Sequence, residues 1–222
     1  MGITGQHQTQ VRVPRGREPG PREGHVRAAD EAEPGGRAPA PLPLRRLQAF
    51  LNSNDIEGAH DAFATLSETQ DWLVERELIL PSDTFDESDR RRVIMVREAI
   101  RALLIARDGA RESAEATRAV EQLSRGIGLA LRLFPNRWEF VATDDGRDAV
   151  VARILGDVAR AIGDGSWSRL KACRRDACRW VFWDASRNRS ARWCAMSICG
   201  NRAKGATFRT RAARGSRRAS GL

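Results

Sequence analysis

The stretch CRRDACRWVFWDASRNRSARWCAMSICGNR, residues 173–202, contains all four cysteines of a chain of 222 residues. The cysteines form two pairs with the same C-x4-C spacing, and 15 residues separate the pairs. Each pair can offer two thiolates from one tight turn, and two such turns complete the tetrahedral ligand set that Zn²⁺ prefers. Because no histidine lies nearby, the spacing predicts one zinc ion bound by Cys173, Cys178, Cys194 and Cys199.

A closed shell of four thiolates leaves no position for water, which makes the predicted metal structural. The residues between the pairs include the apolar run Trp180 to Trp183, from which we expect a hairpin that brings the two turns together. Disulfides and plain buried thiols are the alternatives to zinc. Disulfides are typical of exported proteins, and residues 1–12 lack the apolar run of a secretion signal. A redox-sensing zinc site that releases its metal on oxidation also stays open.

Basic residues are concentrated in the same quarter of the chain. Of 38 Lys+Arg and 29 Asp+Glu residues in the whole chain, residues 171–222 contain 14 and 2, so this segment carries +12 and the rest −3. Such asymmetry is typical of a polyanion-binding element on an otherwise ordinary domain. A GC-rich coding bias explains why arginine replaces lysine, but it does not explain why acids are absent after Asp184.

The forked guanidinium of arginine suits both phosphate and the guanine edge, so we interpret this segment as a nucleic-acid contact surface. One group of candidates lies between the cysteine pairs, and the other lies on a helix that Asn201 is predicted to cap. The candidate contacts are Arg187, Arg189, Arg192, Asn201, Arg202, Lys204, Arg209 and Arg211. The later arginines, 214 to 218, lack a packing pattern and are interpreted as a solvated tail.

The rest of the chain has the pattern of a helical domain that follows a tail. Residues 1–43 are rich in Gly, Pro, Arg and Glu and show no apolar periodicity, which predicts disorder. Beyond Leu44, apolar residues recur every three or four positions, except where Leu129, Leu131 and Leu133 alternate as in a strand. The predicted elements are a short helix near 47–51, helices over 61–80, 86–108, 113–123 and 146–162, and a hairpin over 128–143.

The fold class is therefore mainly α with a small β-hairpin. We expect a helical N-terminal domain over 44–165, a four-cysteine zinc module with a following helix over 166–212, and a basic disordered tail over 213–222. The apolar stripes of the helical domain predict a core that is independent of the cysteines. No apolar stretch approaches the roughly 20 residues of a membrane helix, so we expect a cytoplasmic protein without membrane contact.

The sequence contains no recognisable catalytic set. It has no phosphate-binding glycine loop and no Ser-His-acid arrangement, and two of its three histidines, His7 and His25, lie in the predicted tail. The third, His60, is interpreted as a solvated or capping residue. We therefore predict that the protein is not an enzyme.

Residues 178–211 resemble the CGNR zinc finger, whose motif stands here as Cys199-Gly200-Asn201-Arg202. The other matching positions are Phe182, Asp184, Ser186, Arg187, Asn188, Arg192, Trp193, Met196 and the remaining cysteines. Residues 47–163 resemble the ABATE domain that commonly precedes this finger, through Phe50-Leu51-Asn52-Ser53 and Asp71-Trp72-Leu73. That family usually has an acid just before the first of these stretches, where this chain has Gln48-Ala49. The resemblance implies a stress-responsive transcriptional regulator of bacteria whose finger contacts DNA.

Two functions compete at this point. The first is a zinc-dependent DNA-binding transcriptional regulator of bacterial type, in which the helical domain senses a signal or forms a homodimer. The second is a zinc-stabilised module that binds RNA or an acidic protein partner. Readers of single-stranded RNA expose aromatic side chains for base stacking, whereas we expect Trp180, Trp183 and Trp193 to pack in the core of so small a module.

Overall fold

The computed structural model describes residues 33–42, 44–107, 113–135, 137–143 and 148–205. The predicted C-terminal tail, most of the predicted N-terminal tail, and the candidate contacts Arg209 and Arg211 lie outside these residues. In chain order the elements are a 3-10 turn at Pro34–Gly36, α1 (Leu44–Asn52), β1 (Asn54–Asp55), β2 (His60–Asp61), α2 (Leu66–Glu75), α3 (Glu87–Ala106), α4 (Ser113–Ser124), β3 (Leu129–Phe134), β4 (Arg137–Ala142), α5 (Ala149–Gly163), a 3-10 turn at Ser166–Arg169, β5 (Leu170–Ala172), β6 (Val181–Trp183) and a π-helical turn at Met196–Gly200.

The strands form three separate antiparallel pairs, β1 with β2, β3 with β4 and β5 with β6. The mainly helical fold class with small strand pairs is therefore confirmed, and the predicted hairpin over 128–143 is β3–β4, with Leu131 opposite Phe140. In the part of the chain that the structure describes, no helix is both long and apolar enough to cross a membrane.

The longest helix, α3, starts where its sequence predicts. The carboxylate of Asp86 accepts hydrogen bonds from the backbone N–H groups of Ser88 and Asp89, and the Asp89 carboxylate accepts one from Asp86 N–H at 2.9 Å. This reciprocal arrangement is a capping box, which satisfies N–H groups that have no partner within the helix. The acids that open the segment therefore fix the helix start.

The helix predicted over 61–80 begins later, at Leu66, because the residues before it are held in another conformation. His60 and Asp61 pair with Asp55 and Asn54 in the short β1–β2 ladder. A second capping box then starts α2, with Thr65 and Glu68 bonded reciprocally at 3.3 and 3.1 Å. The Thr-x-x-Glu spacing is the local sequence signal for this start.

One apolar core joins the helices to the first strands of the zinc module. Leu47 and Leu51 of α1, Ile100 of α3, Leu170 of β5 and Val181 of β6 belong to the same buried cluster, and each has 0% of its surface exposed. The sequence predicts a helical core that is independent of the cysteine-bearing segment, whereas β5 and β6 contribute side chains to that core. Stability of the two parts is therefore coupled.

Asn52, the last residue of α1, ties the helices to β6 through its side-chain amide. Its Nδ2 donates to the carbonyl of Val181 and its Oδ1 accepts from the N–H of Val181, both at 2.8 Å. The amide thus bonds the outer edge of β6 as a neighbouring strand would. Gln48 Nε2 also donates to this carbonyl, at 3.3 Å.

Asn52→Ala should lower the free energy of unfolding by about 2 kcal/mol, because it leaves the buried N–H of Val181 without an acceptor. Urea unfolding of the zinc-loaded protein measures this. Asn54→Ala is the matched control, since the Asn54 side chain makes no hydrogen bond among the described residues. Equal losses in the two variants would contradict the assigned role of the Asn52 amide.

Candidate functional site

The four cysteines form one buried cluster. Cys173 and Cys178 lie in the turn between β5 and β6. Cys194 comes two residues before the π-helical turn, and Cys199 lies within it. All four sulfur ligand atoms lie within 4.8 Å of one another. The Sγ of Cys194 is 3.7 Å from that of Cys178 and 3.6 Å from that of Cys199, close to the edge of about 3.8 Å in a tetrahedron with Zn–S bonds of about 2.3 Å.

The chemistry of the cluster also fits a divalent cation. Without one, hydrogen bonds with Cys173 and Cys178, together with burial, raise the pKa of the Cys194 thiol far above its ordinary value. Four buried sulfurs can all be thiolates only when a cation compensates their charge. Arg175 supplies further positive charge beside the ligands, and Glu57, together with Cys199, raises the pKa of its guanidinium. Four closed thiolate positions fit one structural zinc ion.

The predicted hairpin between the cysteine pairs is wrong in its pairing. Val181–Trp183 does form a strand, but its antiparallel partner is the preceding strand, Leu170–Ala172. The hairpin therefore encloses the first cysteine pair instead of joining the two pairs. The physical reason is burial, because Leu170 and Val181 both face the core. The residues after Trp183 form an irregular loop in place of a return strand.

Asp184 organises this irregular loop, which carries three of the candidate basic contacts. Its side chain is 0% exposed, and its two oxygens accept the backbone N–H groups of Ser186 (3.0 Å) and Ala191 (2.9 Å). Lys171 Nζ lies 2.9 Å from the same carboxylate. Burial raises the pKa of Asp184, but the hydrogen bonds from Ser186, Lys171 and Ala191 outweigh it and lower the pKa to about 2. Asp184 is therefore ionised at neutral pH.

Those predicted nucleic-acid contacts that the structure describes have exposed side chains. Arg187, Arg189 and Arg192 lie on the loop that Asp184 holds, and Arg189 also donates to the Ser168 hydroxyl at 3.1 Å. Asn201, Arg202 and Lys204 lie on the helical residues 201–205 that follow the π-helical turn. Both groups lie beside the cysteine cluster, which holds their backbone in place.

The predicted capping role of Asn201 is wrong. Its φ and ψ angles of −66° and −40° are helical, and its Nδ2 donates to the carbonyl of Ser197 at 3.1 Å. The helix predicted to begin at Arg202 starts six residues earlier, at Met196, in a π-helical turn that contains Cys199. Asn201 lines a surface groove of about 460 Å³ together with Ser197, Ile198, Arg202 and Gly205.

Residues 33–42 lie in the segment whose composition predicts disorder, yet they pack against the zinc module. Arg37 donates to the carbonyls of Cys194 and Trp193, and its guanidinium lies 4.6 Å from the centroid of the Phe182 ring. Glu33 accepts a hydrogen bond from Trp180 Nε1 at 3.1 Å. The composition of this segment gave no signal of these contacts, because its partners are more than 140 positions away in the chain.

Glycine is required at position 35 of this segment. Gly35 has a φ of +71°, and a Cβ there would lie 2.7 Å from the Cβ of Ala195. The Pro34-Gly35-Gly36 turn therefore lets the backbone approach the second cysteine pair closely.

The three tryptophans between the cysteine pairs pack inward and are partly buried. Trp180 and Trp193 contact the cysteine cluster, and Trp183 contacts the shared core. Their placement agrees with the packing that the sequence analysis expected for them, and it differs from the exposed stacking platform of single-stranded RNA readers.

Comparison with protein families gives two matches. Residues 169–212 match the CGNR zinc finger, and residues 44–165, more than half of the chain, match ABATE, described as "Putative stress-induced transcription regulator". A search of curated proteins finds no match. Both resemblances noted in the sequence are therefore confirmed, and together with the clustered sulfurs they assign one structural zinc to the finger.

Proposed function

The chain belongs to the ABATE family, and we propose that it is a zinc-dependent DNA-binding transcriptional regulator of bacterial type. In this proposal the finger contacts duplex DNA, and the helical domain receives the signal. Cys173, Cys178, Cys194 and Cys199 are the proposed zinc ligands. The domain boundaries that we propose remain 44–165 and 166–212, with a shared core between them.

The observation that carries the proposal is the exposed basic surface formed by residues on both sides of the second cysteine pair. Arg187, Arg189 and Arg192 come before the second cysteine pair, and Arg202 and Lys204 follow it. They belong to a segment of charge +12 with only two acids, one of which is the buried Asp184. Because Asp184 is paired with Lys171, it does not neutralise Arg187, Arg189 or Arg192, and their charge is available for phosphate. Arg202, by contrast, is paired with Glu57 of the helical domain.

Duplex DNA fits this surface better than single-stranded RNA does. Arginines that project from a rigid, metal-anchored backbone are suited to phosphates at fixed spacing. Base stacking would need exposed aromatic rings, whereas Trp180 and Trp193 are packed against the cysteines. RNA and an acidic protein are therefore the competing partners in the test.

Arg187→Ala combined with Arg192→Ala should flatten the dependence of log affinity on log salt by up to about 1.8, because each lost phosphate contact removes about 0.9 from the slope. Fluorescence anisotropy of a labelled duplex, titrated with the full chain at several salt concentrations, measures this. Zinc content should not change, since neither side chain bonds a cysteine.

The matched control is Arg118→Ala with Arg125→Ala, which removes the same charge from exposed positions on and just after α4. This control should leave the slope nearly unchanged. Equal loss in both variants would indicate diffuse attraction without a site. Absence of duplex binding at low salt, or tighter binding of matched RNA, would show that the finger serves another acidic partner.

A further inference from the structure

Glu57 of the helical domain pairs with two arginines of the finger. Its carboxylate lies 2.7 Å from the guanidinium of Arg175 and also hydrogen-bonds the guanidinium of Arg202. Arg202 is the arginine of the CGNR motif and one of the proposed DNA contacts. A carboxylate of the helical domain is therefore ion-paired with an arginine of the finger that we propose as a DNA contact.

The turn that carries Glu57 is held firmly at its base. It joins β1 to β2, and Gly58 N–H donates to the Asp55 carboxylate at 3.0 Å. Below the turn, Asp61 accepts two hydrogen bonds from the buried Arg97, at 2.6 and 2.7 Å. This anchoring presents Glu57 to the finger at a fixed position.

The paired groups are nevertheless open to solvent. The Glu57 side chain is 35% exposed, and the Arg202 side chain is 53% exposed. Ion pairs with this exposure are weak, so a competing anion can exchange for the carboxylate. The groove beside Arg202 gives such an anion access.

We propose that Glu57 is a competitive latch on the finger: it occupies Arg202 and Arg175 in the free protein, and a DNA phosphate must displace it on binding. The proposal rests on the proposed function, because it concerns regulation of the same surface. The latch lowers affinity for any duplex until the β1–β2 turn releases the finger. A movement of that turn would then be the step by which the helical domain controls DNA binding.

Glu57→Gln should bind the duplex about fivefold more tightly than the wild type at low salt, because it removes the competing charge and its repulsion of phosphate. The gain should shrink as salt rises, since the latch and the DNA contact are both screened. Glu121→Gln is the matched control, with the same charge change at an exposed position of α4. Anisotropy titration of the three full-length, zinc-loaded proteins gives the comparison.

A second arm tests whether the gain passes through the paired arginine. In an Arg202→Ala background, Glu57→Gln should improve affinity by less than about twofold, because only the Arg175 pair is left to release. A full fivefold gain in that background would overturn the assignment of Arg202 as the latched group.

The outcomes separate the latch from the proposed function. If wild type and Glu57→Gln bind DNA equally well, or the variant binds more weakly, the latch is wrong and the regulator proposal stands. If Glu57→Gln loses zinc or thermal stability without tighter binding, Glu57 is a structural tie and the latch is overturned. If none of the proteins binds DNA, both proposals fail.

Discussion

Purified protein is expected to contain one zinc ion per chain, and Cys194→Ser is expected to lose both the zinc and the fold of the finger. The sulfur of Cys194 lies close to a sulfur of each pair, 3.7 Å from Cys178 and 3.6 Å from Cys199. Its loss leaves three thiolates and opens the closed shell, so affinity for zinc should fall below what folding of the segment requires.

The effect should reach the helical domain. Leu170 and Val181 of the β5–β6 hairpin are fully buried in the shared core. Each contributes about 2 kcal/mol to stability through burial of apolar surface. A finger that detaches would expose these side chains and also leave the amide of Asn52 unpaired. We therefore expect the thermal midpoint of the whole chain to fall.

Elemental analysis gives the zinc content, and circular dichroism with temperature gives the midpoint. Ser190→Ala, at an exposed position in the same loop, is the control and should keep both at the wild-type value. A Cys194→Ser protein that retained a full equivalent of zinc would refute the four-cysteine ligand set.

The clustering of the four cysteines and most helices could be predicted because their signals are local. C-x4-C places two sulfurs on one turn whatever the rest of the fold does. The stripe of Val93, Val96 and Ile100 specifies one buried face of α3, and Asp86 specifies its start. Both kinds of signal act within a few residues, where sequence spacing and distance in space correspond closely.

The features that could not be predicted depend on contacts between distant residues. Asn52 recognises β6 across 129 positions, and Glu57 reaches Arg202 across 145. Arg37 lies in a stretch whose composition is typical of disorder, yet the carbonyls of Trp193 and Cys194 give it partners. No local pattern distinguishes these side chains from ordinary solvated ones. All three connect the helical domain or the segment before it to the finger, so the connection between the two parts became visible only in the structure.

Asp184→Asn should lower the free energy of unfolding by about 3 kcal/mol, because it leaves the buried ammonium of Lys171 without its counter-charge. Lys171 Nζ keeps the carbonyls of Arg189 and Ala191 as acceptors, but these are neutral. The asparagine side chain also offers one acceptor oxygen in place of two, so it cannot hold both Ser186 N–H and Ala191 N–H. The loop of Arg187, Arg189 and Arg192 should loosen, and DNA affinity should fall although no arginine is removed.

The pH dependence identifies the carboxylate as the cause. The folded-state pKa of about 2 lies below the ordinary 3.8, so ionised Asp184 stabilises the fold fully above about pH 3.8, and this contribution is lost as pH falls towards 2. Between pH 6 and 8 the difference in unfolding free energy between wild type and Asp184→Asn should therefore be constant, as measured by urea unfolding with saturating zinc. Asp176→Asn is the matched control, because the Asp176 side chain is 96% exposed and its removal should cost almost nothing. Equal stability of Asp184→Asn and Asp176→Asn, or a difference that varies between pH 6 and 8, would show that the buried Lys171–Asp184 pair does not hold the loop.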